Sequence, residues 1–309
     1  MNKKITLLSF AWMFGIVLFH ACNGNSPRGY AELMSDFRIG GVSFFYIVSG
    51  FFLMKHFDEI TGGGFYWWKK EIAKRLRSLG IPYLLWCALG LNGSDWLRQF
   101  GLVGICPTAN FPLWYVKNLL IFCLISPLII SIIRRLPSRL FAWMAVSATI
   151  ILPWLHLPAK FGIFLSLLMF ATGIGAAIHQ KTFEDVVPHT TLVLSIIWFS
   201  ALALRIASVV PQIADWPLRC YSASALAALS FVAVEKMPDI KTLPSVCSMT
   251  FFVYCSHALF LRYVHPLFSW MGWIGCFLNG LLAFASCLTI GWLLRRFMNP
   301  IYKALSGNR

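Results

Sequence analysis

The chain has 309 residues, of which 59% are hydrophobic and 12% charged, and its mean hydropathy is +0.72. These values exclude an ordinary soluble domain and predict an all-α polytopic membrane protein. The 26 Lys and Arg residues against 11 Asp and Glu give a formal net charge of +15. In a membrane protein such a balance indicates topology rather than nucleic-acid binding.

The first element starts with Lys3 and Lys4, continues as an apolar run and ends at His20, just before Cys22. A signal peptide with a lipoprotein-type cleavage site has a similar order, but a histidine near the cysteine does not suit the small-residue requirement of such sites. We therefore expect an uncleaved first span.

Apolar runs long enough to cross a hydrocarbon core of about 30 Å recur along the whole chain. They predict about ten transmembrane helices, at 5–22, 39–55, 79–94, 112–133, 140–157, 161–179, 190–210, 217–234, 246–264 and 270–294. No internal repeat or soluble domain interrupts the series. We therefore predict a single transmembrane domain over residues 1–309.

The basic residues predict the orientation of these helices. If the N-terminus is inside, eighteen Lys and Arg residues fall in cytoplasmic segments, six fall in outer segments, and Lys117 and Arg205 lie within helix runs. The positive-inside rule then places both termini in the cytoplasm. His20 accordingly lies at the outer end of the first helix, about 24 Å from Lys4 at 1.5 Å per residue.

The acidic residues, from Glu32 to Asp239, all fall in predicted loops or at predicted helix ends. Coupled transporters usually place carboxylates near the middle of the membrane. Their absence there disfavours a proton- or sodium-coupled carrier, leaves a facilitator open, and argues against paired-carboxylate chemistry.

We single out four ionisable residues within the predicted spans: His20, Lys117, Arg205 and His257. Such residues by default mark function, although Lys117 and Arg205 are close enough to helix ends to reach the interface, and a structural role is favoured for Arg205. A single histidine can equally serve as a hydrogen-bonded strut between helices. The presence of two histidines in predicted spans favours a functional site over a purely structural role.

Two further segments have both a structural and a functional interpretation. In GGVSFFYIVSGFFL (40–53), Ser43 and Ser49 and the glycines either allow close helix packing or flank a cavity beside His20. In KKEIAKRLRSLGIPY (69–83), Lys74, Arg75 and Arg77 either mark topology and anionic-lipid contact or clamp the phosphates of a nucleotide or coenzyme A.

The nine cysteines are scattered singly, without metal-like spacing, and are best interpreted as buried thiols, so no metal site is predicted. Two of them, Cys22 and Cys106, fall in predicted outer loops and are candidates for a disulfide.

Several segments, in their order along the chain, resemble the acyltransferase-3 family of integral membrane acyltransferases. They are LLSFAWMFGIVLFH, GGVSFFYIVSGFFL, KRLRSLGIPY, PLWYVKNLLIFCLISPLI and FFVYCSHALF. The resemblance covers most of the chain. It implies transfer of an acyl group from a cytoplasmic coenzyme A thioester to a hydroxyl of a surface polysaccharide or lipid-linked sugar.

The resemblance also implies roles for individual residues. His20 corresponds to the family's catalytic histidine, which acts as general base on the acceptor hydroxyl or accepts the acyl group itself. The family usually has an arginine eleven positions earlier, associated with the acyl donor, and this chain has Ser9 there. Lys3 and Lys4 are candidate substitutes.

The remaining predicted positions surround the two substrates. The phosphates of the donor, expected to be acetyl-coenzyme A, would contact Lys74, Arg75 and Arg77, and no permanently bound cofactor is expected. Trp114 and Tyr115 are either an interfacial aromatic belt or a sugar-stacking surface. Ser256 and His257 are candidates to orient the acceptor or His20.

The resulting prediction is an O-acetyltransferase of the cell inner membrane. Two alternatives remain at this stage: a non-catalytic carrier or flippase for lipid-linked glycans, and a degenerate structural member of the family.

Overall fold

The computed structural model describes residues 3–24, 26–59, 65–91, 95–102, 109–155, 162–180 and 191–308. The structure is 87% helical and has no strand among these residues, which confirms the predicted all-α class. A helix is the element expected of long apolar runs in lipid, because it satisfies its backbone hydrogen bonds internally.

Thirteen helices are named here in chain order within the described ranges. They are α1 (Lys3–Ala21), α2 (Arg28–Glu59), α3 (Phe65–Arg75), α4 (Ile81–Leu89), α5 (Trp96–Gln99), α6 (Trp114–Arg135), α7 (Ser138–Ile151), α8 (Gly162–Ile178), α9 (Thr191–Ile206), α10 (Gln212–Lys236), α11 (Thr250–Val264), α12 (Gly272–Phe297) and α13 (Asn299–Ser306). A π-helical segment, Leu76–Gly80, joins α3 to α4, and a 3-10 turn, Phe111–Leu113, precedes α6.

Each of the ten predicted spans overlaps a helix. Among the described residues, six helical segments are long and apolar enough to cross a membrane, and two shorter apolar helices, α8 and α9, accompany them. The six are Lys3–Ala21, Arg28–Lys55, Phe111–Arg135, Ser138–Leu155, Gln212–Lys236 and Gly272–Phe297. The protein is therefore a helical membrane protein.

The chain divides into two compact units. Unit 1 comprises Met1–Met34, Ile72–Leu120 and Asp239–Arg309, and unit 2 comprises Ser35–Glu71 and Ile121–Pro238. Helices α2, α3 and α6 each contribute residues to both. The single domain over residues 1–309 stays a prediction.

The core of unit 1 is formed by α1, α11 and α12, each of which packs against the other two. On one side of this core, Phe10 and Phe14 of α1 meet Phe284 of α12 edge-on, with ring centroids 5.2 and 5.0 Å apart. Such T-shaped pairs are a favourable aromatic geometry. The packing holds α1 along its length and so positions its last turn.

The short helix α13 closes unit 1 against α4 and α12. The indole Nε1 of Trp86 donates to the carbonyl of Leu305 at 3.0 Å, and the ring of Tyr302 stacks on Phe252 with centroids 5.6 Å apart. Gly307 then ends the helix with φ +68°, where a Cβ would lie 1.9 Å from the carbonyl oxygen of Ser78. A glycine is required there both by the left-handed backbone and by the close approach.

In unit 2, α2 and α8 approach closely at two glycines. A Cβ on Gly50 would lie 2.1 Å from the carbonyl oxygen of Phe170, and one on Gly173 would lie 2.0 Å from that of Ile47. Small residues permit such backbone proximity between membrane helices. This contact supports the packing interpretation of the 40–53 segment.

Helix α2 begins at Arg28, well before the predicted start of the second span at residue 39. The side chain of Asp36 consequently lies inside a candidate membrane span and is fully buried. The prediction that every acidic residue falls in a loop or at a helix end is therefore wrong for Asp36.

A buried ion pair is the physical reason that a carboxylate is tolerated at this position. Nη2 of Arg205 lies 2.6 Å from Oδ1 of Asp36, and both side chains are 0% exposed. The Ser222 hydroxyl and, at 3.2 Å, the Trp198 indole N–H donate to Oδ2. Buried charges persist when they are paired and hydrogen-bonded. The sequence favoured this structural role for Arg205.

Candidate active site

His20 lies in the last turn of α1, where α1 contacts α12. A Cβ on Gly280 of α12 would lie 2.8 Å from the side chain of Leu18, so the two helices approach closely one turn of α1 before the end. The imidazole of His20 is partly exposed and contacts the ring of Phe19, with centroids 5.2 Å apart. Packing of the helix thus fixes the position of this ring while leaving it accessible.

The second predicted histidine, His257, stands beside the first. It is fully buried in α11, and its ring centroid lies 5.2 Å from that of His20, with the two planes at 42°. The sequence placed both residues in spans, separated by more than two hundred positions. Their proximity follows from the packing of α1 against α11.

The backbone of α11 sets the tautomer of His257. Its Nδ1 lies 2.7 Å from the carbonyl oxygen of Tyr254 and 3.2 Å from that of Val253. A carbonyl only accepts, so Nδ1 carries the hydrogen and Nε2 of the neutral ring has a lone pair. This Nε2 is buried and has no hydrogen-bond partner in the described part of the chain.

A pocket of about 270 Å³ opens beside His20. Its lining residues come from three parts of unit 1: the end of α1, the 3-10 turn before α6, and one face of α11 with the residue that follows it. They are His20, Phe111, Pro112, Ala258, Leu261, Arg262 and His265. The pocket therefore brings the imidazole of His20 together with a guanidinium and a second imidazole.

The 3-10 turn that forms one wall of the pocket is tied to α11 by two hydrogen bonds. The Tyr254 hydroxyl donates to the carbonyl of Pro112, and the Asn110 amide donates to the carbonyl of Cys255 at 2.8 Å. Tyr115 also meets Tyr254 edge-on, with centroids 5.5 Å apart. Tyr115 is thus a buried support of the wall.

The side chain of Arg262 both forms a hydrogen bond between segments of unit 1 and remains exposed at the pocket. Its Nη2 donates to the carbonyl of Ala109 at 2.6 Å, which connects α11 to the segment before the 3-10 turn. A Cβ on Gly90 would lie 2.4 Å from the same Ala109 oxygen, so the end of α4 also comes close. The side chain nevertheless remains exposed and lines the pocket.

The predicted donor-binding residues lie at the junction of α3 and the π-helical segment. Lys74 and Arg75 occupy the last turn of α3, and Arg77 lies within Leu76–Gly80. Lys74 and Arg77 are exposed and Arg75 is partly exposed. Ser78, in the same segment, is the residue that α13 contacts through Gly307. π-helical segments of this kind occur frequently at functional sites.

The other predicted site residues occupy different environments. Ser43, which is buried, and Ser49 lie on α2 within unit 2. Ser256 is fully buried in unit 1, and its hydroxyl donates to the carbonyl of Phe252 at 2.8 Å. Trp114 begins α6 and is partly exposed.

Position 9, where the family has an arginine, contains a serine turned toward its own helix. The Ser9 hydroxyl donates to the carbonyl of Ile5 at 2.7 Å. The candidate substitutes contact the segment that precedes α11: Lys3 donates to the carbonyl of Lys241 at 2.7 Å, and Lys4 pairs with Asp239 at 3.2 Å.

Sequence reasoning missed Arg262 and His265 as pocket residues. The available signal was the helical spacing of 258, 261, 262 and 265, which places these positions on one face of α11. In the sequence, Arg262 is one of the six basic residues that fall in predicted outer segments. Cys106, the proposed partner of Cys22, lies outside the described residues.

The fold and the pocket together define a helical membrane protein with imidazole chemistry available at the end of its first helix. The family model described as an acyltransferase domain, that of the acyltransferase-3 family, matches residues 4–296, nearly the whole chain. The chain therefore belongs to the acyltransferase-3 family and is an acyltransferase. Comparisons with curated proteins and with solved structures give no match.

Proposed function

We propose that this acyltransferase moves an acetyl group from cytoplasmic acetyl-coenzyme A to a hydroxyl of a surface polysaccharide or lipid-linked sugar outside the cell inner membrane. The observation that carries the proposal is the imidazole of His20 in a pocket, backed by the buried imidazole of His257. The proposal includes about ten spans with both termini in the cytoplasm, an arrangement in which this pocket would lie toward the outside. The eighteen-to-six distribution of Lys and Arg supports that orientation.

In the proposed reaction, His20 acts as the general base. The acceptor hydroxyl attacks the thioester carbonyl carbon as a lone pair on the His20 imidazole takes its proton. The C–S bond then breaks, and the coenzyme A thiolate takes that proton from the imidazolium. Imidazole suits both steps because its protonation changes near neutral pH.

The donor would approach from the cytoplasmic side. Lys74, Arg75 and Arg77 would contact its phosphates, and the pantetheine arm would extend into the bundle toward His20. Guanidinium and ammonium groups form strong, charge-assisted hydrogen bonds with phosphate. The exposure of Lys74 and Arg77 supports this assignment, because an incoming ligand can reach them.

The acceptor would enter the pocket from the outer side. Trp114, at the start of α6, provides an aromatic surface for a sugar ring, and the exposed guanidinium of Arg262 provides hydrogen-bond donors. Ser43, Ser49 and Ser256 are assigned to helix packing. Ser43 is buried, Ser49 directly precedes the closely packed Gly50, and the Ser256 hydroxyl donates within its own helix.

Inside-out membrane vesicles test the proposal, because their cytoplasmic face is accessible to added coenzyme A thioester. We expect acetyl-labelled coenzyme A, added outside such vesicles, to label the sugar fraction inside them when the protein is present. A carrier or flippase would instead move the lipid-linked sugar without adding label. Movement of the sugar with no protein-dependent labelling would contradict the proposal.

The same vesicles distinguish general-base from covalent catalysis. Incubation with labelled donor in the absence of acceptor, followed by rapid denaturation, is expected to leave the His20 peptide unlabelled. Recovery of acetyl label on that peptide would show that the imidazole carries the acyl group and would replace the general-base step.

A further inference from the structure

We propose that His257 is the positioning residue of His20: its Nε2 accepts a hydrogen bond from the His20 ring and thereby fixes which His20 nitrogen faces the substrate. This inference rests on the proposed function for its consequence in catalysis. Its structural part, the pairing of the two rings, stands on the geometry of α1 and α11.

The first step is that the Nε2 atom of the neutral His257 ring can only accept a hydrogen bond. The carbonyls of Tyr254 and Val253 occupy the Nδ1–H, at 2.7 and 3.2 Å. The neutral ring has a single hydrogen, so Nε2 retains its lone pair. A buried lone pair without a donor is costly, which makes a donor group at Nε2 favourable.

The second step is that His20 is placed to provide that donor. The two ring centroids are 5.2 Å apart, so a rotation of the partly exposed His20 ring brings one of its nitrogens within hydrogen-bonding reach of Nε2. His257 itself is held by its hydrogen bonds to the α11 backbone, and its ring also contacts that of Tyr254, with centroids 6.0 Å apart. The buried ring of His257 therefore orients the partly exposed ring of His20.

The third step is the consequence for catalysis. When one nitrogen of His20 donates to His257, the other nitrogen has the lone pair and faces the pocket, as a general base requires. After His20 takes the proton, its imidazolium donates a stronger hydrogen bond to Nε2. A neutral acceptor achieves this orientation without burying a carboxylate, which would be costly at this depth.

The chain permits a matched test, because asparagine and glutamine each reproduce one nitrogen of histidine. Asparagine at position 257 keeps a donor near the Nδ1 position and lacks the acceptor. Glutamine keeps an acceptor near the Nε2 position and lacks the backbone anchor. A purely structural role for His257 would favour asparagine, whereas the positioning role favours glutamine.

We expect His257→Gln to transfer acetyl within several-fold of the parent, and His257→Asn to lose at least about tenfold in kcat with little change in KM for the donor. His257→Met, which fills the volume without an acceptor, should match the asparagine variant and replaces it if that variant does not fold. Equal rates for the three variants, or a faster asparagine variant, would overturn the proposal.

A spectroscopic measurement separates this proposal from the proposed function. In protein labelled with ring-15N histidine, the His20 signals, identified by their loss in His20→Gln, should show one tautomer with a hydrogen-bonded N–H. His257→Gln should keep that state and His257→Met should show mixed tautomers. Mixed tautomers in the parent would contradict the pairing even if acetyl transfer is observed, and a single tautomer in a protein without transferase activity would contradict only the proposed function.

Discussion

Position 9 of α1 contributes no positive charge for an acyl donor, because it is a serine. The Ser9 hydroxyl donates to the carbonyl of Ile5 within the same helix. Binding of the donor phosphates would then depend on other cationic groups, among the described residues near the predicted cytoplasmic helix ends of unit 1. Lys3 and Lys4 already contact the 239–241 segment. The proposed contacts of the donor are the cluster of Lys74, Arg75 and Arg77, of which Lys74 and Arg77 are exposed.

Replacing Arg75 and Arg77 together with glutamine is expected to weaken binding of acetyl-coenzyme A by about tenfold or more. Charge-assisted hydrogen bonds contribute about 1.5–3 kcal/mol each when water is excluded, and less at exposed positions. Calorimetric titration of the purified protein measures the change. The matched control is Arg134→Gln with Arg135→Gln, which removes two basic residues from the last turn of α6. Unchanged donor affinity in the variant with Arg75 and Arg77 replaced would contradict donor binding by the cluster and would leave it as a topology signal.

The individual site residues were predictable to different extents. His20 and His257 could be identified because an imidazole in an apolar run is unusual, and the family resemblance implied a catalytic role for His20. Arg262 could not be identified from its charge, since an arginine near a helix end can reach the membrane interface without belonging to a site. Its role in the pocket depends on the proximity of Ala109, which is a tertiary contact.

Among the helices, α2 differs most from the sequence prediction, because its first part is charged and was therefore predicted to be a loop. Arg28, Glu32, Asp36 and Arg38 interrupt the apolar pattern, and hydropathy alone therefore starts the span at residue 39. The ion pair with Arg205 satisfies Asp36 only after α9 has packed in unit 2. A pattern that depends on a partner far along the chain is not visible in a local window.

Asp36→Ala is expected to lower the stability of the protein strongly, by about 3–5 kcal/mol, because it leaves the buried Arg205 guanidinium without its carboxylate. Thermal unfolding in detergent measures the effect. The double variant Asp36→Leu with Arg205→Met should recover most of the loss, since no buried charge remains.

The chain provides a control pair in the same unit. Arg219 Nε lies 2.8 Å from Oδ2 of Asp215, but the two side chains are 23% and 35% exposed. Asp215→Ala should therefore cost about 1 kcal/mol or less. If Asp36→Ala were as mild as Asp215→Ala, the assignment of a stabilising buried pair would be wrong.

Helix α13 was absent from the prediction for a different reason. It has eight residues, too few to span a membrane, and its buried residues Tyr302, Leu305 and Ser306 lie on one face, as in an amphipathic helix. Its importance lies in its contacts with Trp86, Phe252 and the π-helical segment. These contacts connect the end of the chain to the proposed donor-binding cluster.

For the whole molecule, composition was sufficient to predict a helical membrane protein, and the apolar runs predicted the approximate positions of ten of the thirteen named helices, without α3, α5 and α13. The two compact units were not predictable, because both are assembled from segments far apart in the sequence. The orientation in the membrane rests on the distribution of Lys and Arg.

Cysteine labelling tests this orientation. In a parent with Cys22 and Cys106 replaced by serine, a cysteine at position 24 should react with an impermeant reagent added outside the cell, and one placed within 60–68 should react only after permeabilisation. Gly24 suits the first substitution because a Cβ there would contact nothing within 4 Å. The reverse pattern would invert the proposed positions of donor and acceptor.

The most direct test of the central claim is the rate of acetyl transfer by His20→Gln in inside-out vesicles, measured beside His179→Gln. Glutamine can keep a structural hydrogen bond at position 20 but cannot take the proton as imidazole does. We expect a loss of about 10²- to 10⁴-fold for His20→Gln, the usual contribution of a positioned general base. His179 lies in unit 2, where its ring contacts Phe141, and its substitution should leave the rate near that of the parent. A His20→Gln protein that transfers acetyl as fast as His179→Gln would contradict the catalytic assignment.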